Sequence, residues 1–177
     1  MKNFTIYDKK NAKPPADEML AEMESSLGFV PNVFAAIAES PASLKAFIEL
    51  NTQFNQSVFD ATSHQIIQLA VSVENECTYC VAGHTAFSEM QDVPSEIVSA
   101  MRNNEPLTDK KLQALNHFTR LLVNIKGPIP EAETKKFLDA GYTANHVIEV
   151  ILGICVKTFS NLTNNIIGLE LDEPRYE

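Results

Sequence analysis

Two cysteines three positions apart, followed four positions later by a histidine, are the residues here whose types and spacing could do chemistry: Cys77-Thr78-Tyr79-Cys80-Val81-Ala82-Gly83-His84. On a helix, residues four apart share a face, so His84 would stand one turn above Cys80. A thiol near a helix start and beside an imidazole has its thiolate favoured by backbone N–H groups and by a proton acceptor. A second thiol one turn back can close on it as a disulfide. Three readings fit the residues: thiol–disulfide or peroxide chemistry, a zinc site using Cys77, Cys80 and His84, or two small apolar residues packed in a core. Structural zinc generally takes a fourth protein ligand, and this chain has no second CxxC and no HxxxH to supply it. No metal and no cofactor are therefore expected.

These residues need helices to position them, and helical spacing surrounds them. Asp60 to Ser63 offers cap residues for a helix with Ile66, Leu69, Ala70 and Val73 on one face, running straight at the cysteines. A second helical segment follows from Val81 to Met90. A thioredoxin-type dithiol would have a strand before it, so this one belongs to a different fold. Pro14-Pro15 precedes Met19, Leu20 and Met23, with Gly28 as a stop. Ser40-Pro41 opens a helix carrying Leu44, Phe47, Ile48, Asn51 and Phe54. Val93-Pro94 and Thr108-Asp109 open two more, and Pro130 to Ala140 makes another. The last helix begins at Thr143 and runs to about Gly168. It is apolar nearly all round from Val147 to Val156, which predicts burial on most sides and hints at a subunit interface. No strand alternation or Asn-Gly hairpin signal appears. The expectation is one all-α domain over residues 1–177, of about eight or nine helices, with 1–14 as an extended arm.

Composition narrows the function classes. Fourteen basic against twenty-three acidic residues give a net charge of −9 and a pI near 4.9, the wrong sign for a nucleic-acid partner. The N-terminus lacks the apolar segment of a signal peptide. The run Val147 to Phe159 is interrupted by Glu149 and Lys157 and is too short to span a bilayer. A soluble, cytoplasmic protein with no membrane partner is expected. Three cysteines, an odd number, do not make a secreted disulfide framework. Cys155, in the most apolar helix, reads as a core residue. His64 should not share the face of Gln65, and His117 and His146 read as solvent-facing or capping. Tyr79 could line a pocket or merely pack.

The segment Gln65 to Thr85, with its CxxCxxxH, resembles the signature of the alkylhydroperoxidase-D-like (AhpD-like), or carboxymuconolactone decarboxylase, family. Gly28-Phe29-Val30-Pro31-Asn32-Val33-Phe34, Lys157-Thr158-Phe159-Ser160-Asn161 and the Leu169-Glu170-Leu171-Asp172 ending resemble its peroxidase-related branch. The resemblance implies an orthogonal bundle of helices forming trimers or hexamers. It implies a peroxiredoxin-type activity on a hydroperoxide, with Cys80 attacking, Cys77 resolving and His84 relaying the proton. An external thiol or dithiol would then reopen the disulfide. Three positions depart from the family's pattern. Gln65 stands where a relay glutamate is usual; an amide can hold an imidazole but cannot take its proton. The relay would then end on solvent, or Glu74 or another carboxylate would substitute, or turnover would be slow. Glu76 replaces a frequent glycine and places a negative charge beside Cys77. Asn164-Asn165 stands where an asparagine–histidine pair is common. The alternatives are a non-catalytic oligomeric module with structural or redox-sensing cysteines, and a carboxymuconolactone decarboxylase-like enzyme.

Overall fold

The helix from Ala61 to Glu74 is the one the others gather round. Asp60 caps it, accepting from the Ser63 N–H at 2.7 Å, and every residue from Gln65 to Ser72 is buried. A helix covered on all sides needs neighbours on all sides, and the computed structural model, which describes residues 4–172, supplies them. In chain order the described residues form α1 (Ala16–Leu27), α2 (Asn32–Ile37), α3 (Pro41–Asn55), α4 (Ala61–Glu74), α5 (Thr78–Met90), α6 (Ser95–Arg102), α7 (Lys110–Asn124), α8 (Glu131–Asp139) and α9 (Ala144–Ile167). There is no strand among them. The chain is all-α, and α4 packs against α5, α6, α7 and α9.

Local chemistry sets the ends of these helices. Ser40 accepts from the Ser43 N–H with Pro41 in the first turn of α3, and Asp109 accepts from the Lys111 and Leu112 N–H groups at the start of α7. Thr143 and His146 close a reciprocal cap on α9, the capping role expected for that histidine. Gly28 at φ 79° and Gly168 at φ 70° end α1 and α9 in the left-handed conformation that glycine takes without strain. Two aromatic columns tie distant helices. Phe137 stacks between Phe118 and Tyr142, with centroids 4.3 Å away on both sides. Phe47 lies between Phe34 and Phe159. Of the N-terminal arm, residues 1–3 lie outside the described residues; Tyr7 is pinned by its N–H to the Ala35 carbonyl and by its hydroxyl to Glu39.

The structure corrects two expectations, both in α9. It is not buried on most sides: α2, α3, α4, α5 and α7 all meet it, yet Ile148, Ile151, Leu162 and Ile166 are exposed. Cys155, expected in the core, lies exposed on this same outer face. An apolar helix announces which residues want burial but not which side its neighbours occupy. The full 24-residue helix is also long and apolar enough, by length and composition alone, to cross a bilayer, although its most apolar run is not. Its first half turns Val150 and Gly153 toward the other helices, whereas from Val156 on the buried residues are mostly polar: Lys157, Ser160, Asn161 and Asn164.

Candidate redox site

The dithiol sits in the turn from α4 to α5. After α4 the chain must reverse sharply, and Glu76 takes φ 52°, a left-handed conformation that costs a non-glycine residue about 1 kcal/mol. A glycine would fit here without that strain. Cys77 follows as the N-cap of α5, which begins at Thr78, three residues before the segment expected from periodicity. Its N–H donates to the Ser72 carbonyl at 2.9 Å, and its Sγ accepts from the Cys80 N–H at 3.3 Å. Sulfur thus does what a serine or aspartate oxygen does at most helix starts. Cys77 and Cys80 are joined as a disulfide, with Cα atoms 5.3 Å apart, and both are buried. A sulfur at this position faces the unpaired N–H groups of the first helical turn, which favour negative charge.

The inner face of α9 closes over the turn. Asn164 Nδ2 donates to Cys80 Sγ at 3.2 Å and to the Ser160 carbonyl at 3.0 Å. Its Oδ1 is buried with no hydrogen-bond partner among the described residues. Asn161 Oδ1 accepts from Asn75 Nδ2, and Asn165 Nδ2 donates to the Asn75 carbonyl at 2.7 Å. Two asparagines of α9 therefore hold the turn while the third touches the sulfur.

On the next turn of α5, half-buried His84 places Nδ1 2.8 Å from Gln65 Oε1. Gln65 Nε2 donates in turn to Gln91 Oε1 at 3.0 Å. With the amide nitrogen so engaged, the oxygen faces the ring. Nδ1 then carries the hydrogen and Nε2 keeps its lone pair. Burial, together with the ammonium of Lys157, holds His84 well below the usual imidazole range, so the ring is neutral at pH 7. Lys157 is itself pushed down to about 7 by burial. No carboxylate among the described residues is paired with it. Gln91 is exposed, so the amide chain from His84 ends at the surface. Glu74, one candidate to replace the missing glutamate, has one carboxylate oxygen on Arg120 and the other on Asn124 at 2.6 Å.

Tyr79, between the cysteines, donates its hydroxyl to Asp172, whose other oxygen accepts from the Asn32 N–H at 2.8 Å. The Gly28–Phe34 stretch and the chain's Leu169–Asp172 segment thus meet at the residue between the two sulfurs. The remaining histidines serve elsewhere. His64 Nε2 is 2.7 Å from Ser57 Oγ with its ring against Phe54, and His117 pairs with Glu133. Among the described residues, no group of three or more His, Cys, Asp or Glu side chains is arranged to hold a metal ion. The sequence singles out Cys77, Cys80, His84 and Gln65 as site residues, while Lys157, Asn164 and Asp172 stand in it only as parts of the family resemblance, with no role at the sulfurs. The available signal was polar spacing: Lys157, Ser160, Asn161 and Asn164 recur at helical intervals within an otherwise apolar helix.

Residues 41–120, from the start of α3 into α7 with the dithiol between, match the model of the carboxymuconolactone decarboxylase family. That match spans a little under half of the chain. No curated protein sequence matches it. Its fold is that of the alkylhydroperoxidase AhpD core of a peroxidase-related protein from Ralstonia eutropha JMP134. That likeness has a TM-score of 0.87 at 19% identity, over 98% of this chain and 93% of that one. A peroxidase-related protein from Silicibacter sp. TM1040 superposes with a TM-score of 0.82 at 20% identity, covering 98% and 95% of the two chains. A cysteine variant of the debrominase Bmp8, in complex with 2,3,4-tribromopyrrole, does so at 0.81 with 17% identity, covering 97% and 92%. A fold shared with the AhpD core thus frames a Cys77–Cys80 pair with His84 one turn along α5 and Asn164 on the sulfur.

Proposed function

We propose that this protein is a member of the carboxymuconolactone decarboxylase family acting as a thiol-dependent peroxidase of the peroxiredoxin type. The observation that carries the reading is the Cys77–Cys80 bond at the start of α5, with Cys80 Sγ accepting an N–H from Asn164. Both features favour sulfur anions once the bond is opened, since hydrogen bonds and helix N-termini stabilise the charged form. In the reduced protein, His84 takes the Cys80 proton through Nε2. The thiolate attacks the terminal oxygen of a hydroperoxide; an S–O bond forms and the O–O bond breaks. The departing alkoxide takes a proton from His84, whose low proton affinity makes its protonated form a ready acid. The Cys77 thiol then attacks the Cys80 sulfenic acid, forming the disulfide and releasing water. Two electrons from an external thiol or dithiol reopen it. This chemistry suits a reducing, cytoplasmic setting. The exposed apolar face of α9 would bury itself in a homo-oligomer, a trimer or hexamer.

The test is peroxide consumption by cysteine variants of the pre-reduced protein. Cys80→Ser should lose turnover by about three orders of magnitude or more, the usual consequence of removing a nucleophile. Cys77→Ser should consume one equivalent and stop with a sulfenic acid that dimedone traps. Full turnover in both variants would leave a non-catalytic module as the better description. Gln65→Glu gives His84 a carboxylate and should raise the rate about tenfold if proton acceptance is limiting. An unchanged rate would show that the amide chain to Gln91 suffices.

A further inference from the structure

Asn164 has one hand on the reacting sulfur and the other free. Its Nδ2 donates to Cys80 Sγ at 3.2 Å and to the Ser160 carbonyl at 3.0 Å. The second bond fixes which way the amide points, because a flipped group would set oxygen against oxygen. Oδ1 is therefore an acceptor, buried and without a partner among the described residues, on a residue only 4% exposed. Leaving such an acceptor unpaired is costly, so a group that pairs with it is favoured there. The two heavy atoms of a carboxamide are close together and in one plane. A donor hydrogen-bonded to Oδ1 would lie beside the sulfur that Nδ2 already holds, at about the 3–3.5 Å separation of a reactive approach.

We propose that Asn164 is a catalytic residue that recognises the O–H of a hydroperoxide through Oδ1 while holding Cys80 Sγ through Nδ2. The inference rests on the peroxidase reading and deepens it, since it names what the site recognises: a substrate with a hydrogen on its terminal oxygen. The clamp puts that oxygen, the one attacked, against the thiolate. As the S–O bond forms and the O–O bond breaks, the hydrogen stays on the transferred oxygen and becomes that of the sulfenic acid. Asn164 Oδ1 thus keeps its partner throughout the step. A dialkyl peroxide, with no such hydrogen, would be excluded.

The experiment compares two reagents on the pre-reduced protein. Hydrogen peroxide carries the hydrogen; methyl methanethiosulfonate reacts with the same thiolate but has no N–H or O–H to donate. Asn164→Leu and the smaller Asn164→Ala should slow oxidation by hydrogen peroxide at least about tenfold more than they slow thiosulfonate labelling, the margin expected from one substrate hydrogen bond. Asn164→Asp keeps the acceptor but sets a negative charge beside the sulfur. It should slow both reactions by a similar factor, with a fall in the thiolate absorbance near neutral pH. Equal slowing of both reactions in the leucine and alanine variants, or none, would overturn the clamp and leave the peroxidase reading standing. A wild-type protein that labels with the thiosulfonate but is inert to hydrogen peroxide would overturn both.

Discussion

In its C-terminal half, beyond the buried Val150 and Val156, the two faces of α9 run against the usual order of a helix in a folded protein. The inner face buries Lys157, Ser160, Asn161 and Asn164, whereas the outer face leaves Ile148, Ile151, Leu162 and Ile166 exposed. A helix shaped by stability alone would turn its apolar side inward. Burying an ammonium without a counter-charge is among the costlier things a fold can do. The inner face is polar where it meets the dithiol. Asn164 touches Cys80, Lys157 acts on His84, and Asn161 and Asn165 brace the turn that carries Cys77. The difference teaches that stability on the inside of α9 is given up for a charged and polar environment around two sulfurs. The outer face keeps an exposed apolar surface, on which the self-association proposal rests.

Removing the charge from the inner face should have the largest effect. Lys157→Met deletes an ammonium whose proton affinity burial has pushed from 10.5 down to about 7. Below pH 7 the lysine is charged in both folded and unfolded chains, and the folded state bears the full cost. Between pH 7 and 10.5 only the unfolded chain stays protonated, so that cost fades. The variant should therefore be more stable near neutral pH, by on the order of 4 kcal/mol, and should lose the wild type's gain in stability from pH 7 to 10.5. Its dithiol should react several-fold more slowly, with the thiolate appearing at higher pH. Thermal melts across that range check the first statement. A variant that melts lower would mean that the ammonium is compensated and the comparison between faces is wrong.

Next in size is a change of packing. A Cβ added at Gly153 would lie 2.7 Å from the Phe54 ring and 2.8 Å from Ile67 Cγ2, closer than side chains approach. Gly153→Ala should cost about 1–3 kcal/mol by denaturant titration, in spite of alanine's better helix propensity. An unchanged midpoint would show that α9 can shift away from α3 and α4. The smallest effect on stability belongs to the outer face. Leu162→Lys, 55% exposed, should alter the stability of a single chain by less than about 0.5 kcal/mol while moving sedimentation toward smaller species. An unchanged oligomer distribution would remove the outer face from the self-association proposal.

Much of the frame is legible in the chain because the signals are local. Asp60 with Ile66, Leu69 and Ala70 announces α4, and Ser40-Pro41 and Asp109 mark where α3 and α7 begin. Cys77, Cys80 and His84 declare themselves by spacing within two turns. Asn164 does not, because it reaches Cys80 across 84 residues and only the packing of α9 on α5 brings them together. The bond from Tyr79 to Asp172, 93 residues apart, is hidden for the same reason. Cys155 lies outside the core that its neighbours in sequence suggest, because apolar surroundings do not reveal which side of a helix is covered.

The central claim is that the inner face of α9 and the start of α5 are built around a dithiol that a hydroperoxide closes. Pre-reduced protein treated with one equivalent of hydrogen peroxide, digested and weighed by mass spectrometry, tests it directly. The account predicts that the peptide carrying Cys77 and Cys80 loses two hydrogens while the peptide carrying Cys155 does not change. A Cys77–Cys80 peptide that stays a dithiol after peroxide treatment would contradict it.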